Sequence, residues 1–129
     1  MEDQNRFSPD IVEKIIEVLN RYNVEYLIIG KGGAIFYGYN STTFDIDIFP
    51  KKEPKNGERI VKALRELGFR VDENMEKEII CGKDFIQIRE GPFGIDLVFA
   101  PDGIESFEAA KKRATLIDGK YPVASLKDI

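Results

Sequence analysis

Two segments of the chain carry apolar residues at the three- and four-residue spacing of an amphipathic helix. The first follows Ser8-Pro9, a pair that suits an N-cap and a first helical position, and it ends at Asn23. The second extends from Gly57 to Leu67 and stops before a glycine. This spacing predicts two helices, each with one buried face.

Short runs rich in β-branched and aromatic residues predict strands between these helices and after them. The predicted strands cover residues 24–29, 44–49, 79–80, 85–88, 95–99 and 115–117. Shorter helices are predicted at 34–37 and 104–113, and residues 122–125 lead into a further predicted helix start. This order predicts an α+β fold with a mixed β-sheet covered by helices. A length of 129 residues suits a single domain, residues 1–129.

Three aspartates interrupt the apolar strands. Asp45 and Asp47 alternate with apolar residues in the strand 44–49, so both side chains are predicted on one face of the sheet. Two carboxylates on one face repel each other unless a cation or solvent separates them. Asp96 lies in another apolar strand, and we expect the two strands to be neighbours because only then do the three carboxylates meet. The alternative is a solvated edge strand without a ligand.

A glycine-rich turn precedes the first two aspartates. Gly30, Lys31, Gly32 and Gly33 follow an apolar strand and precede a predicted helix, an arrangement in which backbone N–H groups bind phosphate readily. The turn is not a Walker A loop, because Lys31 is not followed by Ser or Thr. It is not a dinucleotide fingerprint either, since the third glycine would fall at Ile35. A tight strand–helix turn without a ligand is the alternative.

The composition narrows the chemistry of any site. The chain has no histidine and a single cysteine, Cys81, which excludes Ser-His-Asp and Cys-His catalysis and thiolate metal clusters. A bound metal is therefore expected to be a hard cation held by oxygen, with Mg²⁺ or Mn²⁺ first. A formal net charge of −4 argues against a large nucleic-acid footprint. With no segment typical of a membrane span or signal peptide, we expect a cytoplasmic protein without a membrane partner.

The order of these motifs resembles that of the nucleotidyltransferase superfamily with the DNA polymerase β-type fold. Its pattern is an apolar strand, a glycine turn, an Asp-x-Asp strand and a later Asp. The chain is similar more narrowly to small prokaryotic nucleotidyltransferase-like proteins, which include type IV abortive-infection toxins and minimal nucleotidyltransferase antitoxins. The segments that carry the resemblance are Leu27–Gly30, Phe36–Tyr39, Thr42–Asp47, Gly94–Leu97 and Pro122–Ile129. The resemblance covers nearly the whole chain and implies a nucleotidyltransferase-like α+β fold.

The resemblance also implies an activity and roles for individual residues. The activity is Mg²⁺-dependent transfer of a nucleoside monophosphate from an NTP, such as ATP, to an acceptor that is RNA, protein or a small molecule. Asp45 and Asp47 would bind two Mg²⁺ ions, and Asp96 would complete the site and help to activate the acceptor hydroxyl. The implied residues for binding the triphosphate are Gly30, Lys31, Gly32 and Gly33.

Two positions depart from the family pattern. The residue after Gly30, usually Gly or Ser, is Lys31, and Asn40-Ser41 stand where relatives often carry an arginine. These departures favour a second interpretation, a weakly active or inactive domain that acts as a binding or antitoxin module for a partner protein. The three aspartates favour the enzyme. A purely structural domain with a solvated carboxylate face is the third interpretation.

Overall fold

The fold is known from a computed structural model, which describes residues 9–29, 45–89, 91, 94–117, 119, 121–125 and 128. The predicted nucleotide-binding residues lie outside the described residues: they are Gly30, Lys31, Gly32 and Gly33. The helix predicted at 34–37 also lies outside them. For residues 9–12 and for Asp45, the description is limited to the backbone.

Four helices and six strands make up the described part of the chain. The helices are α1 (Pro9–Arg21), α2 (Pro54–Glu66), α3 (Glu73–Cys81) and α4 (Phe107–Arg113). The strands are β1 (Tyr26–Ile29), β2 (Asp45–Pro50), β3 (Phe85–Ile88), β4 (Gly94–Val98), β5 (Thr115–Ile117) and β6 (Tyr121–Val123). Within these described ranges, no helix combines the length and the apolar character that crossing a bilayer requires.

The six strands form one mixed sheet in the order β3-β4-β2-β1-β6-β5. β2 and β4 run parallel to each other near its centre, as do β1 and β6. The pairs β1–β2, β3–β4 and β5–β6 are antiparallel. The predicted α+β fold with a mixed sheet and covering helices is confirmed.

The two faces of the sheet are covered to different extents. On one face, here the three-helix face, Ile28 and Leu97 of the sheet share a large core with Ile15 of α1, Leu64 of α2 and Ile79 of α3. On the other, here the α4 face, a smaller cluster consists of Leu27, Ile29, Phe49, Phe107, Ala110 and Ala124. Among the described residues, apolar burial is therefore concentrated on the three-helix face.

Asn56, at the start of α2, holds β1 against β2 at the end of these strands that is remote from Asp47. Its side chain is fully buried, and its Nδ2 donates to the carbonyl oxygens of Glu25 and Lys51, both at 2.9 Å. Its Oδ1 accepts a hydrogen bond of 2.8 Å from the N–H of Glu25. Leaving such a buried group unpaired costs about 1–3 kcal/mol, so these bonds favour one register of β1 and β2. That register sets the position of Asp47.

The strand predicted at 79–80 is wrong, because these residues lie in α3. The carboxylate of Asp72 caps the start of α3 by accepting a hydrogen bond from the N–H three residues on, and Gly82 ends the helix with a φ of 73°. α3 packs tightly on α2, since a Cβ on Gly57 would lie 2.7 Å from the Cα of Ile80. The two isoleucines suggested a strand, whereas the capping residues on either side decided the helix.

Strand β6 was not predicted: residues 122 and 123, which are expected to lead into a helix start, belong to this strand. β6 pairs in parallel with β1, with Ile28 opposite Val123, and the N–H of Ala124 donates to the carbonyl of Ile28 at 3.0 Å. A strand of three residues is too short to show an alternating pattern. Its pairing with a strand far away in the sequence stabilises it.

Arg113 of α4 makes hydrogen bonds to Asp128 near the C-terminus. We call the group of four residues around it the Arg113 cluster: Arg113, Glu105, Ser125 and Asp128. The guanidinium of Arg113 makes two hydrogen bonds to the carboxylate of Asp128, at 2.8 and 2.9 Å, and two to Glu105, both at 2.9 Å. The Asp128 side chain is only 2% exposed. Hydrogen bonding to Arg113 holds the pKa of Asp128 below its usual value, against the opposing effect of burial, and the hydroxyl of Ser125 contributes less.

Candidate functional site

The parallel pairing of β2 with β4 brings two of the predicted aspartates together. Asp47 is the direct partner of Asp96 in this pairing, and Asp45 is the partner of Gly94. Partner residues on neighbouring strands lie about 4.8 Å apart and point to the same face of the sheet. The expected adjacency of the two aspartate-bearing strands is therefore confirmed.

The apolar residues of these strands force the carboxylates onto the α4 face. Ile46 and Ile48 of β2 are 0% and 2% exposed, and Ile95 and Leu97 of β4 are 1% and 2% exposed, all in the large core. Because side chains alternate along a strand, the residue between each pair points the opposite way. A shift of one residue in either strand would bury an aspartate among the helices, so the apolar pattern specifies this register strongly.

The aspartate pair occupies the middle of a row of residues that crosses four strands. Gln87 of β3 pairs with Asp96, and Ile29 of β1 pairs with Asp47. The row therefore reads Gln87, Asp96, Asp47, Ile29, from a polar edge to the apolar cluster of the α4 face. β1 ends at Ile29, directly beside Asp47, and the residues that follow it in the sequence are those of the glycine turn.

Arg89 contacts Asp96 of this pair, and sequence reasoning did not identify it. It follows directly after β3, and its Nη1 donates to Oδ1 of Asp96 at 2.8 Å and to the carbonyl of Ile88 at 3.4 Å. The Asp96 side chain is 13% exposed and that of Arg89 is 43% exposed. A signal was present in the sequence, since Arg89 is two residues beyond Gln87 and so has the same parity in an alternating strand. That signal has meaning only once β3 and β4 are known to pair.

The described side chains supply part of what a hard divalent cation requires. Mg²⁺ and Mn²⁺ take oxygen ligands, and Asp47 and Asp96 present two carboxylates side by side on one face. No group of three acidic side chains with the geometry of a metal site occurs among the described side chains, a set that does not include Asp45. The pairing of Asp45 with Gly94 places its backbone one step along the same face, two residues before Asp47. The donor set thus fits Mg²⁺ in chemistry and in strand register.

The apolar neighbours of the pair affect its electrostatics. Ile29 is 6% exposed and Phe49 is 4% exposed, and both belong to the cluster under α4. Phe49 meets Phe107 of α4 edge to face, with ring centroids 5.3 Å apart, which holds α4 on this face. A carboxylate beside such a dry surface interacts with a cation more strongly than one in open water.

Comparison with known proteins supports the fold. No protein-family model matches the chain, and no curated protein does so either. Among solved structures, the chain is similar to a protein from Thermotoga maritima described as a "putative nucleotidyltransferase", with 18% sequence identity. The superposition has a TM-score of 0.58 and covers 92% of this chain and 77% of that chain. This similarity shows a nucleotidyltransferase-like fold.

Proposed function

We propose that this nucleotidyltransferase-like domain transfers a nucleoside monophosphate from an NTP, such as ATP, to an acceptor and releases pyrophosphate, with Mg²⁺ as cofactor. The observation that carries the proposal is the pairing of Asp47 with Asp96 on neighbouring parallel strands. A register that sets two carboxylates side by side on a sheet face costs repulsion, and a cation-dependent function accounts for that cost. The similarity of the fold to that of the Thermotoga protein supports the same proposal.

In this proposal, Asp45 and Asp47 would hold two Mg²⁺ ions, for which Mn²⁺ could substitute, and Asp96 would complete the site. The metal ions would supply positive charge against the negative charge that develops on the phosphates. Asp96 would also orient the acceptor hydroxyl and accept its proton. The residues assigned to the β- and γ-phosphates are Gly30, Lys31, Gly32 and Gly33, whose backbone N–H groups suit anions.

The proposed acceptor is RNA, a protein or a small molecule. The net charge of −4 disfavours an acceptor that is held through a long nucleic-acid footprint. The proposed location of the activity is the cytoplasm. The proposed protein partner is the other member of a toxin–antitoxin pair.

The test is transfer of label from each NTP to components of a cell lysate, with Mg²⁺ present. We expect the unmodified protein to label an acceptor, and Asp47→Asn and Asp96→Asn to abolish labelling while circular dichroism stays unchanged. Asp102→Asn is the matched control, because Asp102 is an exposed aspartate in the turn that precedes α4. Full labelling by Asp47→Asn, or the absence of NTP binding at millimolar concentration, would refute the proposal.

A second candidate function, a binding module for a partner protein, is favoured by one observation. Leu116 is 61% exposed at the centre of β5, which is an edge strand of the sheet. Exposed apolar residues on edge strands mark places where another chain can add. If this function is the correct one, Leu116→Lys abolishes complex formation in size-exclusion chromatography with the partner, whereas Asp47→Asn does not change it.

A further inference from the structure

Arg89 reaches the aspartate pair from the edge of the sheet. β3 is an edge strand, and its pairing with β4 sets Gln87 opposite Asp96. Arg89 lies two residues further along, on the same face, and its guanidinium turns back to Asp96 with an Nη1–Oδ1 distance of 2.8 Å. A positive charge therefore sits against one carboxylate of a pair that Asp47 completes.

The exposure of the two side chains indicates how firmly this contact is held. Asp96 is 13% exposed, so its charge is largely shielded from water, while Arg89 is 43% exposed and extends from the sheet edge into solvent. An ion pair with one partner so exposed shifts an equilibrium by only about fivefold or less. Arg89 can thus leave Asp96 at small cost, whereas Asp96 cannot leave its strand.

We infer that Arg89 is a built-in counter-ion that competes with the divalent cation for Asp96. This inference rests on the proposed function, because it concerns the same carboxylate pair. Arg89 neutralises part of the repulsion between Asp47 and Asp96 in the metal-free protein, and it must release Asp96 before that carboxylate completes a metal site. The apparent affinity for the metal ion is then set by how much more favourably Asp96 interacts with Mg²⁺ than with Arg89. Arg89 keeps this affinity low until a nucleotide supplies its phosphate oxygens as further ligands.

The experiment is a calorimetric titration of the full chain with Mg²⁺ alone, repeated with Mn²⁺, without nucleotide. Arg89→Gln removes the charge, and we expect the dissociation constant for Mg²⁺ to fall about fivefold, because the competing ion pair is gone. Arg89→Lys keeps the charge, and its dissociation constant should stay closer to that of the unmodified protein. Thermal melts give a second readout: Mg²⁺ should raise the Tm of Arg89→Gln more than that of the unmodified protein.

Arg21→Gln is the matched control. Arg21 also forms an exposed ion pair, with Glu66 at 2.5 Å, and it lies at the end of α1, which leads to the end of β1 remote from Asp47. The substitution removes the same unit of charge and the same type of contact. We expect it to leave both the dissociation constant for Mg²⁺ and the Mg²⁺-induced rise in Tm unchanged.

The outcomes separate this inference from the proposed function. Tighter Mg²⁺ binding by Arg89→Gln than by the unmodified protein supports competition, as does binding that appears only in Arg89→Gln. Equal or weaker binding by Arg89→Gln, when the unmodified protein binds Mg²⁺, overturns the inference and leaves the metal site in place. If neither protein binds Mg²⁺ or Mn²⁺ at millimolar concentration, the inference is overturned, whereas the proposed function is judged by the labelling assay with NTP and Mg²⁺.

Discussion

The molecule contains two clusters in which an arginine contacts carboxylate groups, and the two clusters differ in hydrogen-bond geometry and in burial. In the Arg113 cluster, one guanidinium makes two hydrogen bonds to each of two carboxylates, Glu105 and Asp128. The second cluster, here the Arg89 cluster, consists of Arg89, Asp96 and Asp47. Nη1 of Arg89 donates a hydrogen bond to Oδ1 of Asp96, and Asp47 is the strand partner of Asp96. The first cluster joins two segments of the chain, and the second gathers negative charge on one face of the sheet.

The burial of the acidic groups explains the difference. Asp128 is 2% exposed and its arginine partner 26%, so both groups are held in a fixed, paired geometry. Asp96 is 13% exposed, but its arginine partner is 43% exposed and can exchange with solvent ions. Two-bond pairing of a buried carboxylate is typical of a structural contact. Carboxylate oxygens placed side by side on two strands are suited to binding a hard divalent cation.

The largest expected effect separates the two clusters by function. Asp47→Asn should reduce nucleotide transfer at least about a hundredfold, because it removes a group that holds charge in the transition state. The same change should leave the metal-free protein equally stable or more stable, because it relieves repulsion with Asp96. Initial rates with labelled NTP measure the loss of activity, and urea denaturation without metal measures the change in stability. A stability loss in step with the activity loss would mean that the Arg89 cluster is structural.

The second-largest expected effect is a loss of stability without a loss of activity. Asp128→Asn should lower the free energy of unfolding by about 2 kcal/mol, because it replaces charge-assisted hydrogen bonds of a buried carboxylate by weaker ones. Nucleotide transfer by the folded protein should not change. Urea denaturation and transfer assays well below the melting temperature test this. A loss of activity without a loss of stability would show that the Arg113 cluster also serves the reaction.

The pH dependence of this second variant sharpens the comparison. The pKa of Asp128 is lowered in the folded protein, chiefly by Arg113, so its contribution to stability is present above the unfolded pKa of about 4. As the pH falls through the lower folded pKa, Asp128 takes up a proton and the contribution disappears. The difference in unfolding free energy between the unmodified protein and Asp128→Asn should therefore be constant near neutral pH and shrink in acid. A difference that grows in acid would contradict this assignment.

The smallest expected effect concerns the outer half of the Arg113 cluster. The Glu105 side chain is 61% exposed, so water replaces most of its interaction with Arg113 when it is removed. Glu105→Gln should therefore lower the Tm by less than half of the decrease caused by Asp128→Asn. Thermal melts of the two variants, recorded side by side, test the order. Equal decreases would show that exposure does not govern the strength of these contacts.

Much of the fold follows from local patterns in the sequence. The helical spacing in α1 and α2 was recognisable because an amphipathic helix repeats its apolar face over several turns. The face on which Asp47 lies was recognisable because strand side chains alternate. α3 and β6 were missed for the opposite reason: α3 depends on capping by Asp72 and Gly82, and β6 on a pairing with β1.

For the candidate site too, some features follow from the sequence and others follow only from the tertiary structure. The amino-acid sequence by itself determined which residue types are present: three aspartates in apolar strands, a glycine turn and no histidine, and hence oxygen chemistry with a hard cation. Tertiary structure alone decided that Asp47 stands beside Asp96 and that Arg89 reaches Asp96. The physical reason is that side-chain parity is a property of a single strand, whereas register belongs to two strands far apart in the chain. That register is chosen by the packing of the apolar residues on the other face of the sheet.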